Sequence, residues 1–214
     1  MKNVLIVGMG RFGRHCATKL TELGHQVMAI DRNENRVDAS MNYLSNVAIG
    51  DSTRKDFLDS LGIEDFDVCI VAIGDDFQSS LETTALLKEL GAKKVISRAS
   101  RDVHMKFLLH NGADEVIYPE RVTAEWVATR VSGDYIMDYI ALDSSHGLFE
   151  LNVPEKWLNK SLAELDIRRK YNINVVAIKK GDEIVTGSDP DLPLTADMTL
   201  MVIGKNADVI KYVK

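Results

Sequence analysis

The segment VLIVGMGRFG, residues 4–13, is the strongest constraint on the fold. An apolar run of strand length breaks without a spacer into Gly8-Met9-Gly10-Arg11-Phe12-Gly13, which fits GxGxxG. That order calls for a buried strand, a tight turn and a helix laid closely on the strand. Gly8 permits the turn, Gly10 lets the backbone approach a diphosphate, and Gly13 permits close helix–strand packing. The amides and dipole of the helix start attract the anion.

The next hundred residues repeat the theme. Short runs rich in Val and Ile occupy 3–8, 26–30, 46–49, 67–73 and 94–98, and a sixth strand is expected at 115–118. Helices are expected from Phe12, Asn33, Arg54, Asp76 and Asp102, with apolar positions such as Leu81, Ala85, Leu86 and Leu90 at helical spacing. Thr53 and Asp75 or Asp76 read as caps, and Gly24, Gly62, Gly91 and Gly112 as stops. Continuous apolar strands alternating with helices predict an α/β fold, a Rossmann-like doubly wound parallel sheet buried on both faces.

Beyond Tyr118 the pattern changes. Pro119 opens a helix to about 130, Ser132-Gly133-Asp134 breaks it, and a second short helix is expected over 135–142. Asp143-Ser144-Ser145-His146-Gly147 reads as a linker into a small α+β unit. That unit should hold strands at 148–153, 174–179, 183–186 and 199–203 and a helix at 162–169. Gly181-Asp182 forms a hairpin turn, and a Pro-rich loop precedes the last strand. The expected division is 1–131, a nucleotide-binding domain; 132–145, a helical linker; and 146–214, a second ligand-binding domain. At roughly 70 residues the last is small enough to rely on oligomerisation.

Composition removes several functions. A net charge of −6 over 214 residues offers no cationic face for nucleic acid. Cys16 and Cys69 make neither a disulfide framework nor a zinc site, and suit a reducing cytoplasm. No apolar run approaches the ~20 residues that span a bilayer. The expectation is a cytoplasmic chain that reaches any membrane process by docking on another protein.

Strand ends supply the candidate site. Asp31 ends the second strand at the spacing of a carboxylate that binds ribose hydroxyls, or it caps the next helix. An acid there disfavours a 2′-phosphate, although the neighbouring Arg32 is a cation that suits one. Asp51, with Ser52 beside it, suits an adenine amino group, and Ala72-Ile73-Gly74-Asp75 closes the fourth strand; Asp51 and Asp75 fit capping equally well. Arg11 is either a solvent-facing charge or a fork for a terminal phosphate of ADP or ATP. His15, His25, His104, His110 and His146 form no metal spacing and no nucleophile–base arrangement, and His15 and His110 read as surface or partly packed. The residues favour binding without chemistry. An NAD-dependent oxidoreductase acting on a small substrate stays open as an alternative, as does a nucleotide sensor with a different partner.

GMGRFG, Asp31, VAIGDD, Gly112-Ala113-Asp114 with Tyr118-Pro119-Glu120, and IRRKYNINVVAI followed by Gly181-Asp182 together resemble the RCK family. The resemblance is to TrkA/KtrA-type cytosolic regulatory subunits of bacterial potassium uptake systems, a TrkA-N domain followed by a TrkA-C domain. It implies a homodimer assembled into a ring of eight, docked on an integral membrane potassium-translocating subunit of TrkH/KtrB type, with nucleotide state setting the ring's shape and transport. It implies that Gly8, Gly10, Arg11, Gly13, Asp31, Asp51, Ile73, Gly74 and Arg98 line a nucleotide cleft, with Phe12, Arg32, Ser52 and Ala72 alongside. Arg11 would reach a terminal phosphate. Glu120 would hold a Mg, Ca or Na ion beside the phosphates, or serve only as a helix-start carboxylate. ATP or ADP is the implied ligand, with NAD(H) as the alternative. Ile167, Arg168, Asn174, Val175 and Pro190 resemble positions that bind cyclic di-AMP, and Arg168-Arg169-Lys170 equally fits a solvated helix end. Tyr118 stands where the family has histidine, and Arg98 where lysine is common.

Overall fold

The computed structural model describes residues 1–187 and 189–213; Ser188, within the expected Pro-rich loop, and Lys214, the end of the expected second domain, lie outside the described residues. The chain divides into two compact units, Met1–Glu120 and Arg121–Lys214.

In the first unit β1 (Asn3–Val7), β2 (Gln26–Asp31), β3 (Asn46–Ile49), β4 (Val68–Val71), β5 (Val95–Arg98) and β6 (Glu115–Ile117) form one parallel sheet in the order β3-β2-β1-β4-β5-β6. Helices α1 (Arg11–Glu22), α2 (Glu34–Ser40), α3 (Lys55–Asp59), α4 (Phe77–Glu89) and α5 (Asp102–His110) alternate with the strands. This is the Rossmann order, with the strand direction of winding reversing between β1 and β4. The apolar runs are continuous because both faces are covered. Leu5 and Val7 pack with Ile30 and Val71 on one face, and Val4 and Ile6 with Ala17 and Ala29 on the other.

Helix starts follow the side chains available. Asn33 caps α2 by accepting from Arg36 N, and Asp76 caps α4 by accepting from Ser79 N at 3.0 Å. Thr53, expected as a cap, is not one: its N–H and hydroxyl both donate to Asp51 Oδ1, and α3 begins after Arg54.

Helix α6 (Pro119–Arg130) carries the chain from the first unit into the second. There β7 (Ile136–Ala141), β8 (His146–Asn152), β9 (Ile173–Lys180), β10 (Glu183–Thr186) and β11 (Met198–Lys205) form an antiparallel sheet in the order β10-β9-β11-β8-β7. The core gathers Tyr139, Phe149, Leu151, Trp157, Leu200 and Val202. Two expectations fail here. The segment 135–142 is a strand, not a helix: a bulge between Ile136 and Asp138 sets its inward residues, Ile136 and Tyr139, three apart, which imitates helical spacing. The expected linker 143–147 is therefore the turn of the β7–β8 hairpin, in which Asp143 Oδ1 accepts from Ser145 N and His146 N.

The expected helix over 162–169 is two short ones, α7 (Leu162–Leu165) and α8 (Ile167–Tyr171), broken at Asp166 with φ 46°. A further helix, α9 (Asn206–Tyr212), follows the strand expected to be last and buries Val209.

Candidate nucleotide-binding cleft

The carboxyl ends of β1, β2 and β4 open onto a cleft of about 500 Å³, a size suited to a small-molecule ligand. Its floor is the glycine turn. Gly8 leaves β1 with φ 98°, a conformation costly to any residue with a Cβ, and its N–H donates to Ile30 O at 2.8 Å. Gly10 is the N-cap of α1 and supplies no side-chain cap, and the helix's first turn holds no acid. Its orphan amides and positive dipole end are left for an anion. Gly10, Arg11 and Phe12 line the cleft. Gly13 lies beneath it: a Cβ there would sit 1.9 Å from Gly8 O, so this position sets how closely α1 lies on the turn.

Asp31 lines the cleft and is a strut as well. Its Oδ2 accepts from Met9 N at 2.7 Å and from Arg36 Nη1 at 3.3 Å, and its Oδ1 accepts from Asn33 N at 2.8 Å. One carboxylate thus ties the glycine turn, the end of β2 and the start of α2. Arg32, also lining, donates to Asp76 Oδ2 at 3.4 Å.

Asp51 reaches the cleft with Oδ1 engaged by Thr53. The Thr53 N–H, then its hydroxyl, hold the Asp51 carboxyl below the usual range against burial, with Arg32 and Arg54 adding to the effect. Ser52 turns its hydroxyl to Thr83 Oγ1 at 2.8 Å, into the contact with α4. Ala72, Ile73, Gly74 and Asp75 form the wall after β4.

Arg98 closes the far side, ion-paired through Nη2 with Glu120 in the first turn of α6. Burial works against the Glu120 charge, but its own N–H, then Arg98 and Arg11, bring its carboxyl below the usual range. Among the described residues no cluster of three or more His, Cys, Asp or Glu is placed to hold a metal ion, so a cation at Glu120 would need its remaining ligands from elsewhere.

Of the expected cleft residues only Gly13 lies off the lining. Arg36 and Ser79 line it and were missed. Arg36 had a readable signal, since a basic residue three after the Asn33 cap turns back toward the end of β2. An uncapped helix start, the buried Asp31 carboxylate and four arginines suit a phosphate-bearing ligand.

The second set of residues is dispersed. Ile167 is 3% exposed in the core of the second unit, while Arg168 on α8 and Asn174 on β9 are exposed. Val175 is partly buried, and the Pro190 carbonyl accepts from Ala163 N at 2.9 Å, pinning the loop to α7. Among the described residues no helix is long and apolar enough to cross a membrane.

Residues 4–119 match the TrkA-N domain and residues 148–214 the TrkA-C domain. The chain is 38% identical over 213 residues to Ktr system potassium uptake protein C of Bacillus subtilis (strain 168), covering 100% of this chain and 96% of that one. It is 34% identical over 211 residues to Ktr system potassium uptake protein A of the same organism, covering 99% and 95%. The solved GsuK channel shares the fold, with a TM-score of 0.71 at 18% identity over 99% of this chain and 39% of that one. With both domains present in order and the likeness to the Ktr proteins running from end to end, the chain belongs to the RCK family, in its TrkA-N/TrkA-C form.

Proposed function

We propose that this protein is a cytosolic, nucleotide-binding gating subunit of a Ktr/Trk-type potassium uptake system and performs no chemistry on its ligand. The observation that carries this is the uncapped start of α1 beside Arg11 and Arg98, a phosphate-binding corner, in a chain otherwise like the Ktr proteins. Nucleotide binds within 1–131, where Asp31 faces the ribose and the glycine turn the diphosphate. Arg11 reads the terminal phosphate and Glu120 approaches an accompanying cation. The part over 146–214 takes cyclic di-AMP at Arg168, Asn174, Val175 and the Pro190 loop. Homodimers assemble into an octameric ring that docks on an integral membrane potassium-translocating subunit. A ligand shifts such an assembly only by its difference in affinity for two states, and the third phosphate of ATP supplies that difference at Arg11.

Thermal shifts with ATP, ADP, NADH and cyclic di-AMP test this reading. A ligand at a hundred times its Kd stabilises by about 2.7 kcal/mol, so ATP and ADP should raise Tm by several degrees. Arg11→Ala should remove the advantage of ATP over ADP. A shift with NADH alone, unchanged by Arg11→Ala, would refute the terminal-phosphate role.

A further inference from the structure

Three arginines of the cleft are each held by a carboxylate: Arg32 by Asp76, Arg36 by Asp31 and Arg98 by Glu120. The three carboxylates are not equivalent. Asp76 also accepts from Ser79 N and Oγ at the start of α4, and Asp31 also accepts from Met9 N and Asn33 N. Neither can leave its arginine without undoing a helix start or the glycine turn. Among the described residues the Glu120 carboxylate reaches no backbone N–H beyond its own, so outside its own residue its hydrogen-bond partner is Arg98.

Arg98, by contrast, is fixed. Its guanidinium lies against Gly74, where a Cβ would stand 2.1 Å from Nη1 and 2.7 Å from Cζ, and its other side faces the Phe12 ring at 6.0 Å. The Arg98 side chain is 17% exposed against 57% for Glu120. Its Nε is buried without an acceptor, so the donor fork is under-used. A guanidinium offers carboxylate and phosphate the same two-point geometry, so both compete for one face of Arg98.

We propose that Glu120 is a built-in competitor of the ligand's phosphates: it occupies Arg98 in the empty cleft, and a diphosphate-bearing nucleotide takes Arg98 over and expels the Glu120 carboxylate. This rests on the nucleotide-binding reading of the cleft. The expelled residue lies in the first turn of α6, so the exchange changes what fastens the start of the helix that joins the two units. Phosphate binding then reads out on α6 through one arginine changing partners.

The test is calorimetric titration of the full chain with ADP and with adenosine in EDTA, for wild type, Glu120→Gln, Arg98→Ala and the double variant. Removing this partly exposed competing ion pair should tighten ADP binding by about two- to fivefold in Glu120→Gln, leave adenosine unchanged, and give no gain in the Arg98→Ala background. Unchanged or weaker ADP binding by Glu120→Gln overturns the proposal. So does an equal gain for adenosine, or a gain that persists without Arg98. Glu120→Ala takes the place of Glu120→Gln if that variant does not fold. If wild type binds neither ligand, the nucleotide reading itself falls; if wild type binds ADP and Glu120→Gln gains nothing, only the competition does.

Discussion

His104 was read from sequence as one of five histidines without a site, yet it is fully buried between α5 and α4. Its position could not be read because its burial depends on distant partners. Ser100 N donates to Nδ1 at 3.3 Å, which leaves Nε2 to carry the proton and donate to Ser80 Oγ at 3.2 Å. Burial, then the charges of Arg101 and Arg98, push its pKa below the ordinary value. Above about pH 6.5 the ring is neutral in both folded and unfolded chains. As pH falls through and below that value, the unfolded chain takes up a proton that the folded chain refuses, and stability declines. The urea midpoint should therefore drop between pH 7 and 5.5, and drop less in His104→Gln. An equal drop in both would assign the acid loss elsewhere. The glycines and Asp31 were legible for the opposite reason: their roles rest on spacing within a single strand–turn–helix. The Arg98–Glu120 pair was not, since it needs β5 and β6 side by side.

Helix starts and stops were the most readable elements. Asp76, one of the two residues expected to cap α4, does so, Asn33 caps the helix expected to start at it, and Gly24, Gly62, Gly91 and Gly112, read as stops, all have positive φ. The Asp76 cap predicts that Asp76→Ala lowers stability by about 1 kcal/mol in urea unfolding followed by circular dichroism; a change near zero would show that the tertiary packing of α4 outweighs its cap. Where pattern and packing part, reading fails. The bulged β7 spaces its buried residues as a helix does, and the break at Asp166 divides the helix expected over 162–169 into α7 and α8. Both errors arise from a single residue's backbone, which a periodicity count averages away.

For the whole molecule, α6 presents apolar side chains that its own unit leaves exposed. None of its residues is buried, and Val122 and Val127, with Val131 just past its end, are exposed. Apolar groups grouped on one helix mark a contact surface, so light scattering should find multiples of the single-chain mass, reduced by Val127→Glu; a single-chain mass for wild type would count against the proposed ring. The two sheets also differ in when they can exist. During synthesis β1 emerges first, takes β2 as its neighbour at once, and is flanked on both sides as soon as β4 appears. The second sheet has its keystone, β11, last of its five strands in chain order, bonded to both β8 and β9. Until β11 has emerged, this unit is two separate hairpins, and isolated hairpins are marginal in water. A message cut short before residue 198 would yield a first unit with its full set of strands attached to a tail unable to close its sheet, a natural substrate for quality-control proteases.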